Sequence, residues 1–164
     1  MCKIEENKAE ILGSLSYDPG TGFFYWKTPK QGRHLGQPVG WKTKGYLEVS
    51  ISGNGFKLHR LAFLFMGEDI PYCVDHINRV RHDNRWCNLR AATWSGNTAN
   101  TGKYSNNTSG LKGVSFHKNR GKWVAHIGVN GKDVYLGIYK TPEEAHEAYK
   151  EAAVKFHKEF ASFS

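Results

Sequence analysis

Cysteine is scarce. Cys2, Cys73 and Cys87 are the whole complement, an odd number without a C-x-x-C pair, which disfavours a disulfide framework and a structural zinc knuckle. Reduced thiols in a cytoplasm are the expectation. No window approaches the ~20 apolar residues that a helix needs to span a bilayer. The opening Met1-Cys2-Lys3-Ile4-Glu5-Glu6-Asn7 has no apolar core of signal-peptide length. A soluble, unsecreted protein that leaves membranes alone is therefore expected. Acidic residues are also few, 15 against 23 Lys and Arg, for a formal charge of +8; the partner this favours is a polyanion or an acidic surface. In 164 residues, 39% of them hydrophobic, there is room for one ordinary domain or two small ones. That excludes a transporter or a large multi-domain enzyme. Aromatic residues, at 13%, are plentiful enough to argue against disorder.

The charge is unevenly placed. Residues 106–140 carry six basic and one acidic side chain, whereas the 24 residues after them carry three basic and five acidic. In the first third, Leu47, Val49 and Ile51 alternate with polar neighbours, which predicts a strand with one buried face. Gly53-Asn54-Gly55 predicts a hairpin turn returning through Phe56-Lys57-Leu58. His59 to Met66 is apolar almost throughout and is read as a short buried helix ended by Gly67. Phe23-Phe24-Tyr25-Trp26, after a turn-rich Asp18-Pro19-Gly20, predicts a further strand. The polar stretch 103–110 has the composition of a flexible linker. Four segments follow: a β-rich region with a buried helix over 1–70, a core over 71–102, the linker, and a tail over 111–164.

The most informative segment is Val74-Asp75-His76-Ile77-Asn78-Arg79-Val80-Arg81-His82-Asp83-Asn84-Arg85-Trp86-Cys87-Asn88-Leu89-Arg90, followed by Ala91-Ala92-Thr93-Trp94-Ser95-Gly96-Asn97. Asp75-His76 ends a short apolar strand, Leu89 lies on a second strand, and Ser95 is a candidate cap for a helix holding Asn97. The pattern resembles the HNH nucleases of the ββα-metal type, in the phage and intron-encoded form with asparagine in place of the last histidine. Asn88 stands twelve residues after His76, and Asn97 nine further on.

The resemblance implies that His76 is the general base, that Asn88 holds its imidazole, and that Asp75 and Asn97 ligate one divalent cation. Asn100 is the alternative ligand. The residue types suit that chemistry. Histidine, with an ordinary pKa of ~6.5, accepts a proton near neutrality. General-base catalysis supplies only about 10²–10⁴-fold, so a cation must stabilise the phosphate charge. A carboxylate with an amide oxygen suits Mg²⁺ or Mn²⁺ more than Zn²⁺. Asn84 is read as a structural turn residue, His82 as incidental and His59 as packed or hydrogen-bonded. Arg60, Arg79, Arg81 and Arg85 are candidate DNA contacts.

Beyond the linker, runs around Lys112–His117, Lys122–Val129 and Asp133–Ile138 predict a three-stranded meander, with Asn130-Gly131 a strong hairpin signal. Thr141-Pro142-Glu143-Glu144 combines an N-cap, a proline at the first helical position and a capping-box glutamate. Ala145, Ala148, Tyr149, Ala152, Ala153 and Phe156 form one helical stripe. Lys112-Gly113-Val114, Gly121-Lys122-Trp123-Val124-Ala125, Tyr135-Leu136-Gly137 and Thr141-Pro142-Glu143-Glu144-Ala145 resemble the APETALA, or ethylene-response-factor, DNA-binding domain. That resemblance implies a sheet whose outer face enters the major groove. Lys112, Lys118, Arg120, Lys122, Lys132, Trp123, His126 and Tyr135 are the candidate contacts, with a core position as the other reading of Trp123. Ser115, His117 and Gly128 stand where that family commonly has arginine, so its target sequence is not carried over.

The fold expected is α+β: an N-terminal hairpin and short helix, a ββα-metal core, then an antiparallel three-stranded sheet on one helix. The function expected is a metal-dependent endonuclease of a phage or mobile element, acting on double-stranded DNA in the host cytoplasm. A catalytically inactive DNA-binding regulator is the alternative. Monomer and homodimer, and nicking and double-strand cleavage, stay open.

Overall fold

The computed structural model describes residues 3–29, 34–103 and 105–164. Cys2 and position 104 of the 103–110 stretch lie outside these. Contacts divide the chain into two compact units, Met1–Ala91 and Ala92–Ser164. The architecture is α+β in both.

The first unit opens with two short helices, α1 (Lys3–Glu6) and α2 (Lys8–Ser14), and a hairpin of β1 (Leu15–Asp18) and β2 (Phe23–Trp26). The Phe-Phe-Tyr-Trp run is a strand, as expected. A three-stranded antiparallel sheet follows, β3 (Trp41–Thr43), β4 (Tyr46–Ile51) and β5 (Asn54–Lys57), with β4 in the middle. Alternation along β4 buries Val49 and Ile51. The β4–β5 turn is Ser52-Gly53, both at positive φ (48° and 79°), one step before the glycine-rich triplet expected to turn. Two such residues match the right-handed twist of the strands.

Helix α3 (Leu58–Phe65) has the apolar character and the Gly67 stop expected of it, with Gly67 at φ 76°. Its Leu58, Leu61, Ala62, Phe63 and Leu64 join Ile11, Leu15, Phe24 and Ile51 in one core. Strands β6 (Cys73–His76) and β7 (Leu89–Ala92) then pair in a two-stranded sheet. Val74 and Leu89 belong to that same core, and Trp86 packs edge-on against Phe63, ring centroids 4.8 Å apart. Core residues such as Ile4, Ile11, Leu15, Phe24, Ile51 and Leu61 thus form the floor on which the Asp75-His76 strand rests.

The second unit begins with α4 (Trp94–Ala99). Its N-cap is Thr93, whose hydroxyl accepts from Gly96 N at 3.1 Å, and not Ser95; the cap must lie in extended backbone, and Thr93 does (φ −81°, ψ 164°). Gly96 lies against the Phe160 ring, where a Cβ would be 3.2 Å from the ring carbons. The polar stretch before the sheet is more tied down than its composition suggests. The Asn107 amide donates to Leu111 O and its Oδ1 accepts from Gly110 N, while the Ser109 hydroxyl donates to Val114 O.

Strands β8 (Val114–His117), β9 (Lys122–Val129) and β10 (Lys132–Tyr139) form an antiparallel sheet in the order β10-β9-β8, backed by α5 (Pro142–His157). Asn130 and Gly131 turn the β9–β10 hairpin at φ 50° and 76°. Thr141 and Glu144 form the full capping box. Ala145, Tyr149, Ala152 and Ala153 are buried as the stripe predicts, but Phe156 is exposed, and His146 and His157 are buried instead. The stripe turns slightly further around the helix than alanine spacing indicates.

Gly113, at φ 75°, lies so close to the Tyr149 ring that a Cβ there would overlap it. Gly113→Ala is expected to cost about 1–3 kcal/mol, read as a lower midpoint of the second unit's unfolding. An unchanged midpoint would show that the ring can move aside.

Candidate active site

The ring of His76, the last residue of β6, is buried, with 4% of the residue exposed. Its Nε2 is 3.2 Å from Oδ1 of Asn84, which is itself 1% exposed. An amide oxygen only accepts, so Nε2 carries the proton and Nδ1 is left with the lone pair. Burial is the largest influence on His76 and pushes its pKa below the ordinary value; the bond to Asn84 opposes this. The imidazole is therefore neutral at pH 7 and in the form that can take a proton.

Asn84 is the residue that the sequence underrates. The bond expected from Asn88 is made by Asn84, because both ends of the Asn88 amide are engaged elsewhere. Its Oδ1 accepts from Asn78 N at 2.9 Å and its Nδ2 donates to Asp83 O at 2.7 Å. Asn88 thus ties together the loop between the strands. Asp83 closes that loop: its carboxylate accepts from Asn78 Nδ2 at 2.7 Å, and from Arg85 Nε at 2.8 Å and Nη2 at 2.6 Å. These bonds, Arg85's first, pull the Asp83 carboxyl down to about 2.

Asn84 is held from behind by the N-terminal hairpin. The Tyr17 hydroxyl donates to Asn84 O at 2.7 Å, and Trp86 N donates to Pro19 O at 2.9 Å. Gly22 (φ 77°) approaches so closely that a Cβ would collide with Asn84 C and Arg85 N. Burial, with the Asp18 charge second, pushes the Tyr17 phenol up, so it stays a donor. No sequence signal identifies this brace, since its partners are 67 residues apart.

The other side of the His76 ring meets aromatic neighbours. His59 stands edge-on at 5.2 Å between centroids, and the Tyr46 ring is 5.9 Å from His76 and 5.0 Å from His59. His59 is packed, as expected, and burial, with the nearby His76, lowers its pKa to about 3. Its Nδ1 is buried without a hydrogen-bond partner among the described residues.

Asp75 is 3% exposed and its Oδ2 accepts from Arg90 Nε and Nη2, each at 2.7 Å. Among the described residues no group of three or more His, Cys, Asp or Glu could hold a metal ion. A magnesium-type ion needs only one or two carboxylates, with water and phosphate completing its shell, and the buried Asp75 carboxylate fits that requirement. Asn97 and Asn100 belong to the second unit, on α4 and at its C-cap. Asp75, His76, Asn84 and Asn88 are gathered in the first.

Several candidate DNA contacts have other employment. Arg60 Nη1 donates to Pro71 O and Tyr72 O at 3.0 and 3.2 Å, bracing the segment before β6. Lys112 Nζ donates to Ala99 O at 2.8 Å and Thr101 O at 2.5 Å. Trp123 is half-buried, packed against Val114, Ala125 and Ala145 on the helix side of the sheet, and faces Phe116 at 5.0 Å. Arg79, at φ 65°, and Arg81 are exposed on the loop after β6. Lys118 and Arg120 are exposed in the turn between β8 and β9, and Lys122 and Lys132 at the starts of β9 and β10. On its outer face, Tyr135 pairs with His126 across β9–β10, edge-on at 5.5 Å, and His126 Nδ1 is 2.7 Å from Asp133 Oδ2.

Two protein families match separate parts of the chain: the HNH endonuclease profile over residues 56–99 and the AP2 domain profile over 109–159. The chain therefore carries an HNH endonuclease domain and, C-terminal to it, an AP2 domain. Curated relatives match over the second. The AP2-like ethylene-responsive transcription factor CRL5 of Oryza sativa subsp. japonica is 51% identical over 55 residues, 32% of this chain and 9% of that protein. AIL5 and PLT2 of Arabidopsis thaliana, of the same description, are each 47% identical over 55 residues, 32% of this chain and 10% of theirs. The chain spans about a tenth of the length of these relatives. No solved structure matches it.

Two outcomes are expected. Tyr17→Phe removes the donor to Asn84 O and should cost about 0.5–1.5 kcal/mol in denaturant unfolding; no change in midpoint would remove the brace from the account. His59 is neutral in the fold, whereas the unfolded chain protonates it below about 6.5. The unfolded state thus binds more protons between about 6.5 and 3, and stability should fall as pH falls through that window. His59→Phe keeps the ring and deletes the titration, so its melting temperature should depend less on pH. Equal slopes for the two proteins would refute the assignment.

Proposed function

We propose that the protein is a metal-dependent DNA endonuclease of the homing type, encoded by a phage or mobile element, in which the HNH domain cuts and the AP2 domain helps to select the site. The observation that carries the reading is the buried His76–Asn84 pair, which presents a neutral base of defined tautomer within the segment matching the HNH profile. His76 Nδ1 would take a proton from the attacking water while Asn84 holds Nε2–H. Asn88 keeps the loop closed, and Arg90 fixes the Asp75 carboxylate. Asp75 and Asn97 are the residues that the HNH resemblance assigns to a divalent cation, Mg²⁺ or Mn²⁺, which when bound supplies charge stabilisation at the phosphate. Double-stranded DNA is the substrate this reading requires, and the net charge of +8 favours it.

The transcription-factor relatives favour a second reading for the tail, a sequence-specific DNA-binding regulator whose nuclease domain is silent. Supercoiled plasmid separates the two. With Mg²⁺ or Mn²⁺ the wild-type protein should nick it, chelator should stop this, and His76→Ala should abolish it. Asn84→Ala should slow it roughly 10- to 100-fold, the usual cost of losing a partner that orients a functional histidine. Plasmid left intact across metals would support the regulator.

For the AP2 domain, Arg120→Gln with Lys122→Gln should reduce the salt dependence of DNA binding by about 0.9 for each phosphate no longer neutralised. An unchanged slope in a filter-binding titration would remove these residues from the interface.

A further inference from the structure

Most basic side chains near the buried histidine are occupied: Arg85 is bound to Asp83, Arg90 to Asp75 and Arg60 to two carbonyls. Lys57 and Arg81 are different. Lys57, the last residue of β5, has its Nζ 4.9 Å from the centre of the Tyr46 ring, and the Arg81 guanidinium is 5.2 Å from it. Neither makes an ion pair with a carboxylate among the described residues. Both are exposed.

Their placement is built into the fold. Lys44 (φ 51°) and Gly45 (φ 87°) turn the chain from β3 into β4, so Tyr46 starts β4 immediately beyond them. The Arg81 stem lies over the turn, its Cδ 3.4 Å from where a Gly45 Cβ would be, and its Nη1 donates to Lys44 O at 3.4 Å. The turn thus clears a path for Arg81, and Tyr46 gathers the two cations by cation–π attraction. The same ring is 5.9 Å from that of His76.

We propose that Tyr46, Lys57 and Arg81 form a phosphate-binding site for the DNA strand being cut, holding backbone phosphate beside the general base. The site rests on the nuclease reading above and deepens it, adding a substrate-positioning surface on the β3–β4–β5 sheet of the first unit. Two cations without carboxylate partners, held on one aromatic ring, suit an anionic chain whose charges recur, and they read no base. The surface therefore contributes affinity and placement without sequence preference.

The test uses the full-length chain. On a His76→Ala background in chelator, so that no cleavage occurs, binding of a short linear duplex is titrated at several salt concentrations. Lys57→Gln with Arg81→Gln should make the fall of log K with log salt less steep by about 1.8, or 0.9 for each phosphate no longer neutralised. Lys155→Gln on α5 should leave it unchanged. Tyr46→Leu should weaken binding less than the double variant, because it scatters the charges without deleting them. With His76 restored, the double variant should raise KM for nicking while kcat changes little. A slope unchanged in a double variant that melts like the parent would overturn the site. If the parent nicks no DNA the nuclease reading fails, and the slope still decides whether the three residues hold phosphate.

Discussion

A histidine works as a base only while it is neutral and only through the nitrogen that lacks a proton. At His76 both conditions are met by one buried contact, the 3.2 Å approach of Nε2 to Asn84 Oδ1. Burial disfavours the charged ring, and an acceptor on one side fixes which nitrogen has the lone pair. Much of the first unit can be understood as maintenance of that contact. The core of residues 4–65 carries the strand, the loop bonded through Asn78, Asp83 and Asn88 brings Asn84 across, and the β1–β2 turn presses against its back.

Legibility in the sequence followed the range of the interactions. In the tail, Asn130-Gly131 and Thr141-Pro142-Glu143-Glu144 specify a turn and a helix start through bonds within four residues, and both formed as predicted. Helix α3 was also readable, since Leu61–Phe65 is apolar throughout and has few alternatives to burial. Helices α1 and α2 and strand β1 were missed. They are four to seven residues long, and the Ile4, Ile11 and Leu15 that justify them acquire meaning only through distant partners.

The site divides in the same way. The Asp75-His76 pair stood out because paired polar residues ending an apolar strand are unusual locally. Asn84 was read as a turn residue, for asparagine in a polar loop always has a local role available. Its true partner lies on the preceding strand, and the hydroxyl that braces it comes from Tyr17. Formal charge misleads likewise. Lys112 and Arg60 count toward a net charge of +8, yet both spend their donors on backbone carbonyls. A positive residue becomes informative about DNA only after the internal acceptors have been subtracted.

The Tyr17 and Gly22 contacts have an implication for protein engineering. Residues 56–99, the stretch that matches the HNH profile, hold the histidine and the amide that orients it, but not the hairpin that keeps the amide in place. A cassette cut at those borders and grafted into a foreign scaffold would carry its chemistry without its alignment. A transferred segment must therefore reach back through the Tyr17 and Gly22 hairpin as well as include residues 56–99.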